Sequence, residues 1–324
     1  MKQTIVCLIL ASLFLSANGP AKTQRLKPYR IGVLFPGGPL SQAVDGLRDG
    51  LKDLGLEEDK DFTLTLRDTE SDPKIAQVAA KDFERENFDL LYALATPVIT
   101  VAKDATVNIP IVFCIGSNPV TGKLVDSFAK PGGRLTGVHF LVRDLTAKRL
   151  EILKELLPSV GRVVTFYDPH NRVATEGVAM AREEAKRLGL KLIERQVASV
   201  HELRKGLQAL RPGEVDAFFF VPDTMVVGQA QFIIDTAKTK KLPTMFQEQS
   251  LVAKGGLASY GQNYYEIGRL SAKYTQRVLS GDRPGNLRIE TVENVEMAIN
   301  LRTAKELGLK VPVNLLSRAN KVIR

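Results

Sequence analysis

The sequence has no tryptophan, three histidines and two cysteines, and aromatic residues make up only 6% of it. Each shortage excludes a class of chemistry. His139, His170 and His201 are spaced like no metal motif, so no metal or other cofactor is expected. Cys7 falls inside the N-terminal leader described below, which leaves Cys114 alone in the mature chain. No intrachain disulfide can form, and a racemase working with two thiols is excluded. Cys114 sits in the apolar run Ile111–Ile115 and reads as a small buried hydrophobe. His139 alternates within a strand and reads as core. There is no G-x-S-x-G elbow, Walker loop or G-x-G-x-x-G fingerprint. Nothing therefore marks the chain as an enzyme.

One-sided charge is missing too. The formal charge is +9, but bases alternate with acids, as in Arg182-Glu183-Glu184-Ala185-Lys186-Arg187. That is a solvated helix face, not a nucleic-acid footprint. No helix-turn-helix, zinc-finger spacing or basic tail is present, so nucleic acid is not an expected partner.

The one apolar run of note is at the start. Lys2 gives a positive end, Ile5 to Leu15 is apolar, and the small residues Ala17, Gly19 and Ala21 follow. This is the layout of a secretory signal peptide over residues 1–21, cleaved after Ala21 or after Ala17. The run is shorter than the roughly 20 residues that span a bilayer. Val6 precedes Cys7 where a lipoprotein anchor wants a small residue. The mature protein is expected to be soluble and periplasmic, or otherwise extracytoplasmic.

What remains is an ordinary globular composition, 44% apolar and 25% charged over 324 residues, enough for two domains. β-Branched strands alternate with amphipathic helices. Strands are expected at 30–36, 62–67, 89–95, 111–115 and 135–140, with helices at 41–54, 74–85 and 97–104. The pattern restarts with helices at 146–157, 173–188, 201–210, 226–238 and 265–279. Strands at 162–167, 191–197, 217–221, 244–247 and 257–260 lie between them. The tail holds a strand at 295–300 and a helix at 303–307. Such alternation predicts the α/β class, with two doubly wound parallel-sheet lobes.

Ligands of open parallel sheets bind beyond the carboxyl ends of the strands. After the first strand come Phe35, Gly37, Gly38 and Ser41, where two glycines let the backbone approach a ligand. Thr96-Pro97 and Ser117-Asn118-Pro119 each place a polar residue before a proline that starts a helix, a site for anions. In the second round Tyr167 and Asn171, then Asp223 and Thr224, then Glu248, then Tyr260 follow strands. The acids suit an ammonium group or hydroxyls, and Phe35, Tyr167 and Tyr260 an apolar side chain. Each polar residue is equally open to a plain reading as a helix cap.

Several stretches carry a family resemblance. They are Asp89–Pro97, Ile109–Phe113, Pro131–Val138, Gly256–Gly261, the helix from Tyr264 to Gly281, and Ile299–Leu309. In order and spacing they resemble the ABC-transporter substrate-binding family that includes tryptophan/tyrosine-type periplasmic binding proteins. The resemblance implies the type I periplasmic-binding fold, two lobes joined by a hinge with ligand closed between them. Lobe one would hold 28–141 plus about 262–285, and lobe two 142–261 plus about 286–324. It implies a monomer that captures a small molecule, an amino acid first and another small carboxylate second. An ABC permease at the membrane would receive it. The alternative is a sensor that presents bound ligand to a receptor or histidine kinase. Many members have Asp-Pro where this chain has Asn118-Pro119.

The leader yields a direct test. N-terminal sequencing of the exported protein is expected to begin at Lys22, or at Asn18 for the alternative cleavage. A membrane-bound product still starting at Met1 would instead mark an uncleaved anchor.

Overall fold

The structure is a computed structural model that describes residues 27–140 and 145–324; the expected leader lies outside the described residues. The first run is β1 (Tyr29–Phe35), α1 (Ser41–Asp53), β2 (Phe62–Asp68), α2 (Pro73–Arg85), β3 (Leu90–Leu94), α3 (Thr96–Ala105), β4 (Ile111–Ile115) and β5 (Leu135–Phe140). Next come α4 (Thr146–Leu156), β6 (Arg162–Tyr167), α5 (Arg172–Arg187), β7 (Lys191–Gln196), α6 (Val200–Ala209) and β8 (Ala217–Phe219). They lead into α7 (Thr224–Gly228), α8 (Ala230–Thr239), β9 (Thr244–Phe246), α9 (Gln249–Ala253) and β10 (Ala258–Gly261). The chain ends through α10 (Tyr264–Leu279), β11 (Glu290–Val292), β12 (Glu296–Asn300), α11 (Leu301–Glu306), α12 (Val313–Arg318) and β13 (Lys321–Ile323).

These strands form two sheets, ordered β11-β5-β4-β3-β1-β2 and β13-β12-β10-β9-β8-β6-β7. Every pairing is parallel except β10 with β12. In each sheet the second strand of the run adds on one side of the first and the third on the other. The order therefore reverses between β1 and β3, and again between β6 and β8. A crevice opens at such a switch point, beyond the strand ends. The central strands β3, β4 and β5 are buried along their whole length, as strands covered by helices on both faces must be. The edge strands β2 and β7 are partly exposed.

Apolar clusters line both faces of both sheets. In the first, α1 and α10 cover one face and α2 and α3 the other. In the second, α4 and α5 lie opposite α6, α7 and α8. The chain passes between the sheets three times: from β5 to α4, from β10 to α10, and from β11 to β12.

Two expectations change. The helix expected at 226–238 is broken at Gln229, which leaves the helical region with φ −99° and ψ 17°. Gly228, just before the break, lies against the Pro36 carbonyl of the loop after β1. The segment 290–292 pairs with β5 in the first sheet, past the point near 286 where the sequence reading passes the chain to the second lobe.

The α1–α10 contact closes the first lobe. α1 stops at a left-handed Gly55, with Leu56 N–H donating to Leu51 O at 3.0 Å. Glycines let the two helix backbones touch: a Cβ on Gly46 would stand 2.0 Å from Tyr265 O, and one on Gly268 would stand 2.1 Å from Ala43 O. Gly46→Ala and Gly268→Ala are each expected to lower the unfolding free energy by about 1–3 kcal/mol. Lys52→Ala, on the exposed side of α1, should stay within about 0.5 kcal/mol. Urea unfolding followed by circular dichroism makes the comparison, and a neutral Gly268→Ala would disprove the close contact.

Candidate functional site

The carboxyl ends of the two sheets face each other across a cavity of about 50 Å³. Leu40, Ala95, Thr96, Pro97, Gly116, Phe140 and Tyr264 form its wall on the side of the first sheet. Asn171, Val173, Pro222, Asp223, Thr224, Val227 and Gln247 form the wall on the side of the second. Three helices begin at the cavity, α3 on the first wall and α5 and α7 on the second. Their leading N–H groups give it a positive bias.

Each wall is built from a strand end. Ala95 ends β3 with φ 72° and ψ 141°, a conformation that costs a residue with a Cβ about 1–3 kcal/mol. Its N–H is held by the Cys114 carbonyl at 3.0 Å, so the neighbouring strand fixes the strained turn. The turn sets Thr96 and Pro97 at the cavity. The Thr96 hydroxyl lies 2.8 Å from that of Ser117. Across the cavity, Asn171 Oδ1 caps α5 by accepting from Val173 N–H at 3.1 Å.

Two carboxylates are buried here. Asp223 is 3% exposed. Its Oδ1 accepts from Val226 N–H at 3.0 Å and its Oδ2 from Asp168 N–H at 2.9 Å. Burial pushes its pKa up to about 6, against the pull of those two hydrogen bonds and with a smaller push from the Asp168 charge. Glu248 is 1% exposed and raised for the same reason. Its Oε2 accepts from Ser250 N–H at 2.8 Å, from the Ser250 hydroxyl, and from Gln42 Nε2 at 3.4 Å. The Gln42 bond joins α1 of the first sheet to the N-terminus of α9 in the second. Beside it, Gln247 Nε2 donates to the Tyr264 hydroxyl at 2.5 Å. The Tyr264 ring meets Phe140 edge-on, with centroids 5.7 Å apart.

Of the residues expected at a site, Thr96, Pro97, Asn171, Asp223 and Thr224 line the cavity, with Ser117 and Glu248 directly behind it. The others lie elsewhere. Phe35 belongs to the core under α1. Gly37 backs onto the Asp68 carboxylate. Gly38, at φ +63°, presses on α7, where an added Cβ would stand 2.8 Å from Val227 O. Ser41 donates to Gly38 O on the exposed side. Asn118 Oδ1 caps its own turn through Val120 N–H at 2.9 Å, and Pro119 packs within that turn. Tyr167 donates to Glu194 Oε2 at 3.2 Å, toward the β7 edge. Tyr260 packs with the core under α4 and α5.

Sequence reasoning did not single out Leu40, Ala95, Gly116, Phe140, Val173, Pro222, Val227, Gln247 or Tyr264 as contacts. Most sit one residue from a chosen position. Phe140 and Tyr264 sit where the chain leaves one sheet for the other, which local pattern does not reveal. Cys114 is buried, and burial pushes its thiol up to about 12. His139 is buried in β5, edge-on to Phe128. Among the described residues no cluster of acids, histidines and cysteines is arranged to hold a metal, and no helix is long and apolar enough to cross a membrane.

Comparison with known proteins places this geometry. The family described as ABC transporter substrate binding protein matches residues 31–323. A tyrosine-binding protein from Clostridioides difficile (strain R20291) is 27% identical over 298 residues, 91% of this chain and 85% of that protein. The crystal structure of an ABC domain in complex with L-Trp from Streptococcus pneumonia is 25% identical with a TM-score of 0.81, covering 92% of this chain and 100% of that one. A ligand-free, open structure of a substrate-binding protein with adhesive properties from Clostridium difficile is also 25% identical. It covers 91% of this chain and 99% of that one, but its TM-score is 0.62. At equal identity, this chain superposes better on the complex than on the ligand-free, open structure.

The pKa of Asp223 gives a test in the ligand-free protein. The folded value of about 6 lies above the ordinary 3.8, so the native state holds this proton more tightly than the unfolded chain does. Relative to Asp223→Asn, the wild type is expected to be most stable below about pH 4. It should lose about 3 kcal/mol of that advantage as pH rises through 6. Urea unfolding of both proteins at stepped pH measures the difference, and a flat difference would show that Asp223 titrates normally.

Proposed function

This chain belongs to the family of ABC transporter substrate-binding proteins, and from that premise we propose that its ligand is an α-amino acid held between the two lobes. The family makes it the extracytoplasmic solute-binding component of an importer, a binder and not a catalyst. What supports an amino acid is the pairing of a buried acid in the wall, and a second one behind it, with aromatic and apolar residues around one cavity between the sheets. Asp223 and Glu248 supply negative charge for an ammonium group. Phe140, Tyr264, Pro97, Val173 and Val227 offer a surface for an apolar side chain. The related proteins named for tyrosine and solved with L-Trp point the same way.

In this reading lobe one comprises the first sheet with α10 and β11, and lobe two the second sheet with the rest of the tail. The hinge is the three passages between them. Ligand settles on one lobe, the other rotates over it, and the closed form is recognised by the permease. The Thr96 and Ser117 hydroxyls complete the polar contacts, and the protein acts as an exported monomer.

The test is thermal melting of residues 22–324, refolded to strip bound ligand, against the twenty standard L-amino acids. A ligand at 100 times its dissociation constant adds about 2.7 kcal/mol, expected to raise the midpoint by about 5–10 °C. Asp223→Asn should weaken the responding amino acid by about 30-fold or more. Wild-type affinity should also fall as the pH drops below about 6, where Asp223 takes up a proton. A panel without any response, or an affinity indifferent to Asp223→Asn, would rule out this reading.

A further inference from the structure

Arg149, on α4, is among the largest fully buried side chains of the protein. Its Nη2 donates to Thr146 Oγ1 at 3.0 Å. Its Nε and Nη1 have no acceptor among the described residues. A structural arginine in this fold looks different. Arg134 is half-buried and donates to the carbonyls of Ile109, Lys103 and Thr106 at 2.8, 2.7 and 2.7 Å. Burial lowers the Arg149 pKa to about 10, so it stays cationic at neutral pH. A buried guanidinium with most of its donors unused is unfavourable unless an anion completes it.

Its surroundings identify that anion. The Arg149 and Glu248 charges both act on the Tyr264 phenol, with opposite sign. Tyr264 itself lines the cavity. Gln247 Oε1 and Glu248 Oε1 both lack a donor among the described residues. Unused donors on a cation and unused acceptors on an anion and an amide therefore surround a ring that lines the cleft, with Arg149 and Glu248 buried behind the cavity wall. That set is the complement of a zwitterion.

We propose that Arg149 holds the ligand's carboxylate at the hinge end of the cleft, while Asp223, Glu248 and Gln247 accept from its ammonium group. The proposal rests on the reading of the cleft as an amino-acid site and adds the residue that selects for a free α-carboxylate. A planar guanidinium presents two parallel N–H groups to a carboxylate, which a lone hydroxyl cannot do.

Calorimetric titration of wild type, Arg149→Gln and Arg149→Lys with the twenty L-amino acids and their α-amides tests it. The wild type is expected to bind its amino acid about 30-fold or more tighter than the amide. Arg149→Gln should bind acid and amide alike, and Arg149→Lys should recover part of the preference. The ligand-free melting midpoint of Arg149→Gln should be unchanged or raised, because the variant removes an uncompensated charge. A variant that keeps the preference for the acid, or a wild type indifferent to amidation, would overturn the role of Arg149 and leave the cleft reading standing. A fall of several degrees in the ligand-free midpoint, or failure to fold, would show a structural arginine and overturn it as well. A wild type that binds no amino acid would overturn both.

Discussion

A parallel strand has one carboxyl end, and a sheet of them lines up all those ends along one edge. Nearly everything about this protein depends on that constraint. Each sheet gathers its turns, helix N-termini and capping side chains on a single edge. Three passages of the chain between the sheets then set the two edges face to face. No residue near the cavity needs to be close to another in sequence. Thr96 and Asp223 line one cavity because each follows a strand, β3 or β8, that lies next to a switch in strand order.

This constraint was legible in the sequence, because alternating β-branched runs and amphipathic helices imply parallel sheets directly. The strand ends were legible too, and five of the residues chosen there line the cavity. The side-chain directions were not. Phe35 and Tyr167 end their strands on the sides that face helix-covered cores, so proximity to a strand end did not bring them to the cleft. The glycines after β1 looked like a ligand loop. In the structure Gly37 backs onto Asp68, and Gly38 makes a steric contact with Val227 and Gly228 on the side of the other sheet. The passages between sheets left no local mark, which is why Phe140, Tyr264 and Arg149 escaped notice. An arginine two residues before Glu151 in a helix reads as surface until tertiary packing buries it.

Closing the cleft is unfavourable for its polar groups taken one by one. Asp223 and Glu248 lose water, and Gln247 keeps an acceptor without a donor. The contact of the β1 loop with α7 and the Gln42–Glu248 hydrogen bond favour closure. A solute that meets the buried charges adds to the second set while removing the penalty of the first. Under the proposed function, lobe motion and solute capture are one equilibrium, and the same groups that resist closure when alone favour it when occupied.

The seating of α10 against α1 carries a consequence for how the chain matures. The helix that covers one face of the first sheet lies more than two hundred residues downstream, with five of the second sheet's seven strands between. A polypeptide emerging from its N-terminus therefore shows Val44, Leu47 and Leu51 to solvent until Leu279 has appeared. The second lobe has its strands β6 to β10 complete before that. The lobe begun first is thus completed only after five strands of the second have been made, and in the interval one apolar flank of it lacks its cover.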